Sequence, residues 1–483
     1  MDDGDHEGEE HWWMEKFASL AKWLSPLAAL FFLLTLAACS PLPPPSLTPS
    51  RAFASFTPVH QKPATPLLPP RTPALPSPVP VTTNPRPNTS TPTPNPKTPT
   101  PSWPPAGWLF PDAEVVYSPS AIDFDIQAFV DQSDGFLSTY RQYLMITDWT
   151  TGAQIVNMVA SENAINPRLL LALLEYQSGC VLGPVDDPEM FDAAMGAAQP
   201  IRRDLYGQLV WAAHELSIGY YGWKDGTLIE FSLGDGTMVR PDPELNPGTV
   251  AILYFFAQLV DQQGYQQALD PNSGFLALYE RMFGDPWARA GMVEPLIPAG
   301  TEQIPLTLPF EAGKRWAFTG GPHPAFEGNG PLAALDFAPP TEESGCYASD
   351  DWVVAMADGL VIRSDHGVVL QDLDGDGYEQ TGWVLLYLHI ESLDRVPVGT
   401  VLRAGDRIGH PSCEGGRATG THVHIARRFN GEWIPAAGDI PFVLDGWIAQ
   451  AGEAPYLGTL TRGEEVVTAH QFGSYVSRIA RDE

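Results

Sequence analysis

Cationic side chains are scarce. Against 58 Asp and Glu, the 483-residue chain carries only 27 Lys and Arg, a formal net charge of −31. Grip on a phosphate backbone requires clustered Lys and Arg, so no nucleic acid is expected as a partner. An acidic soluble surface, and a neutral or cationic polymer as substrate, remain open. Cysteine is scarcer, with four residues at 39, 180, 346 and 413. They do not share one context, so their number alone assigns no redox compartment. Long apolar runs are missing too: Leu24 to Ala38 is too short to be comfortable as a spanning helix. What the chain does have is length for two or three domains, an ordinary 44% of hydrophobic residues, and 49 prolines concentrated early.

The apolar run follows Lys16 and Lys22, the positive flank of a signal peptide. Its end, Leu36-Ala37-Ala38-Cys39, resembles the lipobox of bacterial lipoproteins. That resemblance implies cleavage before Cys39, lipidation of its thiol, and a protein exported and lipid-anchored to the outer face of the cell membrane. Residues 1–39 are then the lipoprotein signal peptide, and the acidic leader before Met14 is a dispensable extension. Residues 40–105 are rich in Pro and Thr with few charges, as in Thr91-Pro92-Thr93-Pro94-Asn95-Pro96. Such a stretch buries no apolar surface and favours extended polyproline II, so it is expected to be a linker.

Residues 106–299 have a helical pattern. Asn166-Pro167 opens an apolar run through Leu174, and Leu209–Tyr221 and Thr249–Val260 look like further buried helices. The block from Asn166 to Gly179 resembles the first catalytic helix of lytic transglycosylases. In that family a glutamic acid precedes the Ser-Gly pair, but this chain has Gln177, which cannot supply a proton. Glu175 lies about 200° around a helix from that position and cannot replace it. The expectation is a degenerate, lysozyme-like (muramidase-like) helical domain without its acid.

Beyond Gly300 short β-rich runs replace helices, so residues 300–483 are expected to form an antiparallel β-sheet domain. The fold class is therefore multidomain α + β. Within Thr421-His422-Val423-His424-Ile425-Ala426, a strand would place His422 and His424 on one face and Thr421, Val423 and Ile425 on the other. Paired neutral imidazoles suit a transition metal. Alone, such a pair could equally be two solvated histidines.

Four ordered signals resemble the M23 (lysostaphin-like) zinc metallopeptidases: His323 with Asp336, the Asp358-Gly359-Leu360-Val361 hairpin, Tyr387-Leu388-His389, and Gly420-Thr421-His422-Val423-His424. The resemblance implies that His323, Asp336 and His424 bind Zn²⁺ and leave a position for water. It also implies that His389 and His422 stand beside the metal, assisting deprotonation of the water and stabilising the oxyanion. The implied function is a zinc-dependent endopeptidase that hydrolyses peptide cross-links of bacterial peptidoglycan by metal-activated water. The alternative is a catalytically inactive M23-like lipoprotein that binds cell wall or regulates hydrolases. One spacing departs from that family, where the first ligand usually lies four residues before the aspartate. Leu332 occupies that position here, and the nearest upstream histidine is His323 in a Gly-Pro-rich, loop-like context. A looped-out insertion between His323 and Asp336 would preserve the geometry.

Cys346 and Cys413 fall in this same domain, and an exported context permits oxidation, so they are expected to pair. Cys180 is left as a buried thiol. His366 and His410 are expected in loops, and His214 is a surface or packing residue. Asp372, Asp374 and Asp376 imitate a calcium loop, but its twelfth position is Trp383 where a glutamate is needed, so an acidic hairpin turn is expected. The tail from Trp447 onward is assigned a hairpin and no chemistry.

Overall fold

The structure is a computed structural model that describes residues 104, 105, 107–185, 188–197, 203–326, 328, 330–341 and 343–483. The expected signal segment, Cys39 and nearly all of the linker lie outside these residues. The described residues fall in one compact unit of mixed helix and antiparallel sheet.

Helices come first, and their boundaries follow from local capping chemistry. Helix α1 (Gly152–Asn163) opens on a capping box between Thr151 and Gln154. Helix α2 (Pro167–Ser178) starts at Asn166, whose side chain accepts from the Arg168 amide, and stops at Gly179 with φ of +65°. Pro167 through Leu174 are all buried there, so the helix is wrapped on every side rather than laid on a surface. The Glu175 carboxylate accepts from the amides of Val181 and Leu182, both at 2.9 Å, and so is engaged in ordering the exit of α2. Helix α3 (Leu205–Lys224) is capped by Asp204 and carries Lys224 in its last turn, where the helix dipole favours a cation. Helix α4 (Pro247–Ala257) packs along α3, and Gly219 allows the close approach: a Cβ there would meet the Ala251 Cα at 2.8 Å.

The sheet is built from strands β1 (Arg315–His323), β2 (Ala334–Ala338), β3 (Gly359–Asp365), β4 (Val368–Asp372), β5 (Trp383–Leu388), β6 (Val401–Leu402), β7 (Val423–Phe429), β8 (Glu432–Trp433) and β13 (Arg478–Ala480). Strands β9 (Val443–Leu444), β10 (Trp447–Ala451), β11 (Gly458–Arg462) and β12 (Glu465–Thr468) make a second, four-stranded sheet. The spatial order of the large sheet is β6-β3-β4-β5-β7-β2-β1-β13, with β8 paired to β7, and its pairings are antiparallel. Strands β3 and β4 join through His366-Gly367, both with positive φ (43° and 76°), as a tight hairpin turn demands.

Both faces of this sheet are covered. Val423, Ile425, Leu385, Tyr387, Leu335 and Phe337 point into a core closed by Leu306, Phe310, Met356 and Phe442. Val384, Leu386, Leu388, Ala426, Val368 and Leu370 instead join the core of the helices. Polar links span the same boundary. Arg428 on β7 donates to Glu379 and to the carbonyl of Ser161 in the last turn of α1. Lys224 pairs with Glu432, and the Trp433 amide donates to the Tyr221 hydroxyl at 3.0 Å.

Cys346 and Cys413 form a disulfide between residues 67 apart. Closing a loop of that length stabilises by about 4 kcal/mol in the chain-entropy account. Cys180 is buried and reduced.

Candidate metal centre

The register of the sheet assembles the site. His424 lies directly opposite Asp336 across β7 and β2, and opposite Leu388 across β5 and β7. His389 follows Leu388 at the end of β5, and His323 ends β1 beside β2. Four contiguous strands thus deliver side chains from within them or from their ends to one corner. His323 is not in a loop: it is the last residue of a nine-residue strand with register shifts at Gly320 and before His323. The extra residues between it and Asp336 fall in the connection between the end of β1 and the start of β2 at Ala334. Gly320 has no room for a side chain, because a Cβ would meet Asp336 Oδ2 at 2.4 Å.

His323 Nε2 and His424 Nδ1 are 3.0 Å apart. Asp336 Oδ1 is 3.2 Å from the first nitrogen and 3.3 Å from the second. Three donors on a tetrahedral zinc, bonded at about 2.0–2.1 Å, stand about 3.3 Å from one another. The triangle has the size of one face of that tetrahedron.

The tautomers are set by carbonyl oxygens, which can only accept. His323 Nδ1–H donates to Gly321 at 2.7 Å, and His424 Nε2–H donates to Ala325 at 3.0 Å. In the neutral rings, the facing nitrogens of His323 and His424 therefore both present lone pairs. Two lone pairs at 3.0 Å repel, so the contact calls for positive charge between them. Asp336 Oδ1, buried and without a hydrogen bond among the described residues, points to the same place. The donor set fits a zinc ion.

Two further histidines complete the corner. His389 Nδ1–H donates to the Glu414 carbonyl at 2.8 Å and His422 Nδ1–H to that of Gly420 at 2.7 Å, leaving Nε2 of each ring as an acceptor. Their rings are 4.5 Å apart, and His422 Nε2 is 3.7 Å from Asp336 Oδ1. His422 is the most open of the group, its side chain 15% exposed against 2% for His323 and 7% for His424, so the corner reaches solvent on that side. Burial works to raise the Asp336 carboxyl, but the imidazoles of His323 and His422 and the contacts from His323 and His424 prevail and hold it well below the usual range. Burial lowers His424, and burial with the neighbouring His422 and His424 takes His389 down to about 3.

The His389 shift has a consequence for stability. Between pH 6.5 and about 3 the unfolded chain protonates this ring and the folded one does not, so stability is full above 6.5 and lost as the pH falls. Chelator-treated protein should lose on the order of 2 kcal/mol more between pH 7 and 4.5 than its His389→Gln variant in urea unfolding. Equal losses in the two proteins would disprove the assignment.

The other histidines stand apart. His366 sits in the β3–β4 turn, and His410 packs its ring 3.9 Å from Trp352. His214 is buried on α3, its ring against Gly328 in the excursion that follows β1. Asp372 accepts from the amides of Asp374, Gly375 and Gly377, organising a turn in which the three carboxylates of 372, 374 and 376 gather. One contributor was missed. Tyr456, in the tail to which no chemistry was assigned, stacks on His323 with centroids 4.2 Å apart. An isolated tyrosine between two strands gives no signal in the sequence.

A sheet corner with two imidazoles and a carboxylate converging on one point, flanked by two free imidazoles, is the type of centre found in metallopeptidases. Comparison with known proteins narrows the likeness. Residues 108–297 match the family described as LasA, N-terminal domain. Over 343 residues the chain is 24% identical to Protease LasA of Pseudomonas aeruginosa, covering 67% of this chain and 74% of the relative. Over 129 residues it is 25% identical to Beta-lytic metalloendopeptidase of Lysobacter enzymogenes, covering 26% of this chain and 71% of the relative. Among solved structures, the M23 metalloprotease pseudoalterin matches at 21% identity with a TM-score of 0.29, over 35% of this chain and 96% of its own. The chain is LasA-like, with M23 peptidases among its structural neighbours.

Proposed function

We propose that the protein is a zinc-dependent endopeptidase that hydrolyses peptide cross-links of bacterial peptidoglycan. The observation that carries this reading is the pair of opposed lone pairs on His323 and His424, closed into a ligand-sized triangle by Asp336. His323, Asp336 and His424 would hold the ion, which when bound supplies Lewis acidity and lowers the pKa of water to about 7. The Nε2 atoms of His389 and His422 both face the corner as acceptors. His422, on the solvent side, takes the proton of the attacking water and, once protonated, donates to the oxygen of the attacked peptide carbonyl. His389, kept neutral by burial, accepts a hydrogen bond from that water and orients it. Peptide-bond cleavage is supported by the named relatives, a protease and a metalloendopeptidase, and peptidoglycan as the source of the peptide follows from the M23 resemblance of the sequence.

The remaining parts of the reading follow the sequence. Residues 1–39 export the chain, lipidated Cys39 tethers it to the membrane, residues 40–105 space it from the bilayer, and 106–299 and 300–483 are the helical and peptidase domains. The test is metal content with release of new amino groups from purified peptidoglycan. About one zinc per chain and chelator-sensitive release are expected. A protein that binds wall but carries no zinc would instead be the silent binding module.

A further inference from the structure

His389 has an unusual backbone. Its φ is +68°, a left-handed conformation that a histidine adopts only when its surroundings hold it there. The segment Ser412–Glu414 supplies that hold. The Ser412 amide and hydroxyl both donate to the His389 carbonyl, at 2.7 and 3.0 Å. The Glu414 carbonyl accepts from the His389 ring at 2.8 Å, and the Glu414 amide in turn donates to the Ser412 hydroxyl at 3.0 Å. The same segment reaches the other non-ligand histidine, because the His422 amide donates to the Ser412 carbonyl at 3.3 Å.

The residue between these two is Cys413, bonded to Cys346. The Cys346 side of the bond is itself fastened to the residues that lead into β7. Thr421 donates its amide to the Gly345 carbonyl at 3.1 Å, its hydroxyl donates to the Tyr347 carbonyl at 2.7 Å, and the Tyr347 amide donates back to that hydroxyl at 2.9 Å. The disulfide therefore ties together the two loops that orient His389 and His422. None of these bonds touches His323, and the ligand nitrogens of His323 and His424 take their tautomers from Gly321 and Ala325.

We propose that the Cys346–Cys413 bond and Ser412 form a positioning clamp that aims the Nε2 atoms of His389 and His422 at the metal corner without contributing to metal binding. This rests on the hydrolase reading above. The clamp separates two properties that a merely structural disulfide would lose together: metal affinity stays with the ligands on β1, β2 and β7 and with the carbonyls of Gly321 and Ala325, while turnover depends on the 412–414 segment.

The test uses the full chain with two changes, the Cys346→Ser/Cys413→Ser double variant and Ser412→Ala, which retains the disulfide should the double variant fold poorly. All proteins are assayed at a temperature where circular dichroism shows them folded. Both variants should retain about one zinc per chain, with an unchanged visible absorption spectrum after cobalt substitution. Their kcat for amino-group release from purified peptidoglycan should fall about 10- to 100-fold, with apparent KM within about twofold. An unchanged kcat with only a lowered melting temperature would overturn the clamp and leave the bond a stabilising staple. Loss of zinc alongside activity would also overturn it. A wild-type protein with neither zinc nor hydrolysis would overturn the hydrolase reading first, and this inference with it.

Discussion

Replacing His424 by alanine should remove zinc and hydrolysis together while leaving the sheet intact. His424 supplies one of the two facing imidazole nitrogens, and its loss leaves His323 and Asp336 as a two-donor site. Two donors do not hold zinc against solvent as three do. Amino-group release should fall by on the order of 10³-fold or more, because water outside a metal site has a pKa of 15.7 rather than about 7. Elemental analysis of the purified variant should find almost no zinc, and circular dichroism should find the wild-type spectrum. The informative contrast is His422→Ala, which should keep the metal and lose about 10²- to 10⁴-fold in rate as a general base or acid is removed. If both variants lose zinc equally, His422 is a ligand and the roles assigned here are wrong.

The second large effect concerns the boundary between helices and sheet. Arg428 is 2% exposed, stacks its guanidinium 4.1 Å from the Trp433 ring and donates to Glu379 at 2.9 Å. It also caps the end of α1 through the Ser161 carbonyl, one of the acceptors a helix leaves unpaired in its last turn. Ser161 answers with its hydroxyl, donating to both Glu379 oxygens at 3.0 and 2.9 Å. Burial lowers the Arg428 guanidinium, and the nearby Glu379 works against that shift. Arg428→Ala leaves Glu379 with the Ser161 hydroxyl and the neighbouring Arg363 but without the guanidinium that pairs with it directly, and breaking a buried pair in this way costs on the order of 3 kcal/mol. Urea unfolding of the full chain measures it. The Arg428→Met/Glu379→Gln double variant, which removes both charges, should recover a large part of that loss. A cost below about 1 kcal/mol for Arg428→Ala would mean that solvent reaches the pair.

Alternation along a strand was enough to put His422 and His424 on one side of β7, since the period of two is a property of the backbone. Val423 and Ile425 do lie in the opposite core, as that alternation requires. The helix opened by Asn166-Pro167 was legible for a similar reason: cap, proline and terminal glycine act within a few residues of one another. Contacts across the chain were not legible. Asp336 faces His424 because β2 lies beside β7, although 87 residues separate them and nothing local records that register. The Gly-Pro-rich run from Gly320 to Pro322 before His323 disguised a strand end as a loop, because Gly320 there serves an irregular register and a close approach to Asp336 rather than a turn. Carbonyl oxygens that choose tautomers, at Gly321, Ala325, Gly420 and Glu414, carry no side-chain signature at all.

The apolar side of the sheet that carries Ala426, Leu386 and Val384 has no solvent-facing existence in this molecule, since the helices complete its core. The chain passes from the last helical turn at Ala290 to β1 at Arg315 once. A protease that nicked this crossing would sever covalent connectivity without dissolving the union. The fragments would remain a tight heterodimer, its partner held at millimolar effective concentration until the cut and by apolar burial afterwards. Separating them would require digesting the helical fragment itself or a denaturant, and size-exclusion chromatography after limited proteolysis should show one peak containing both pieces.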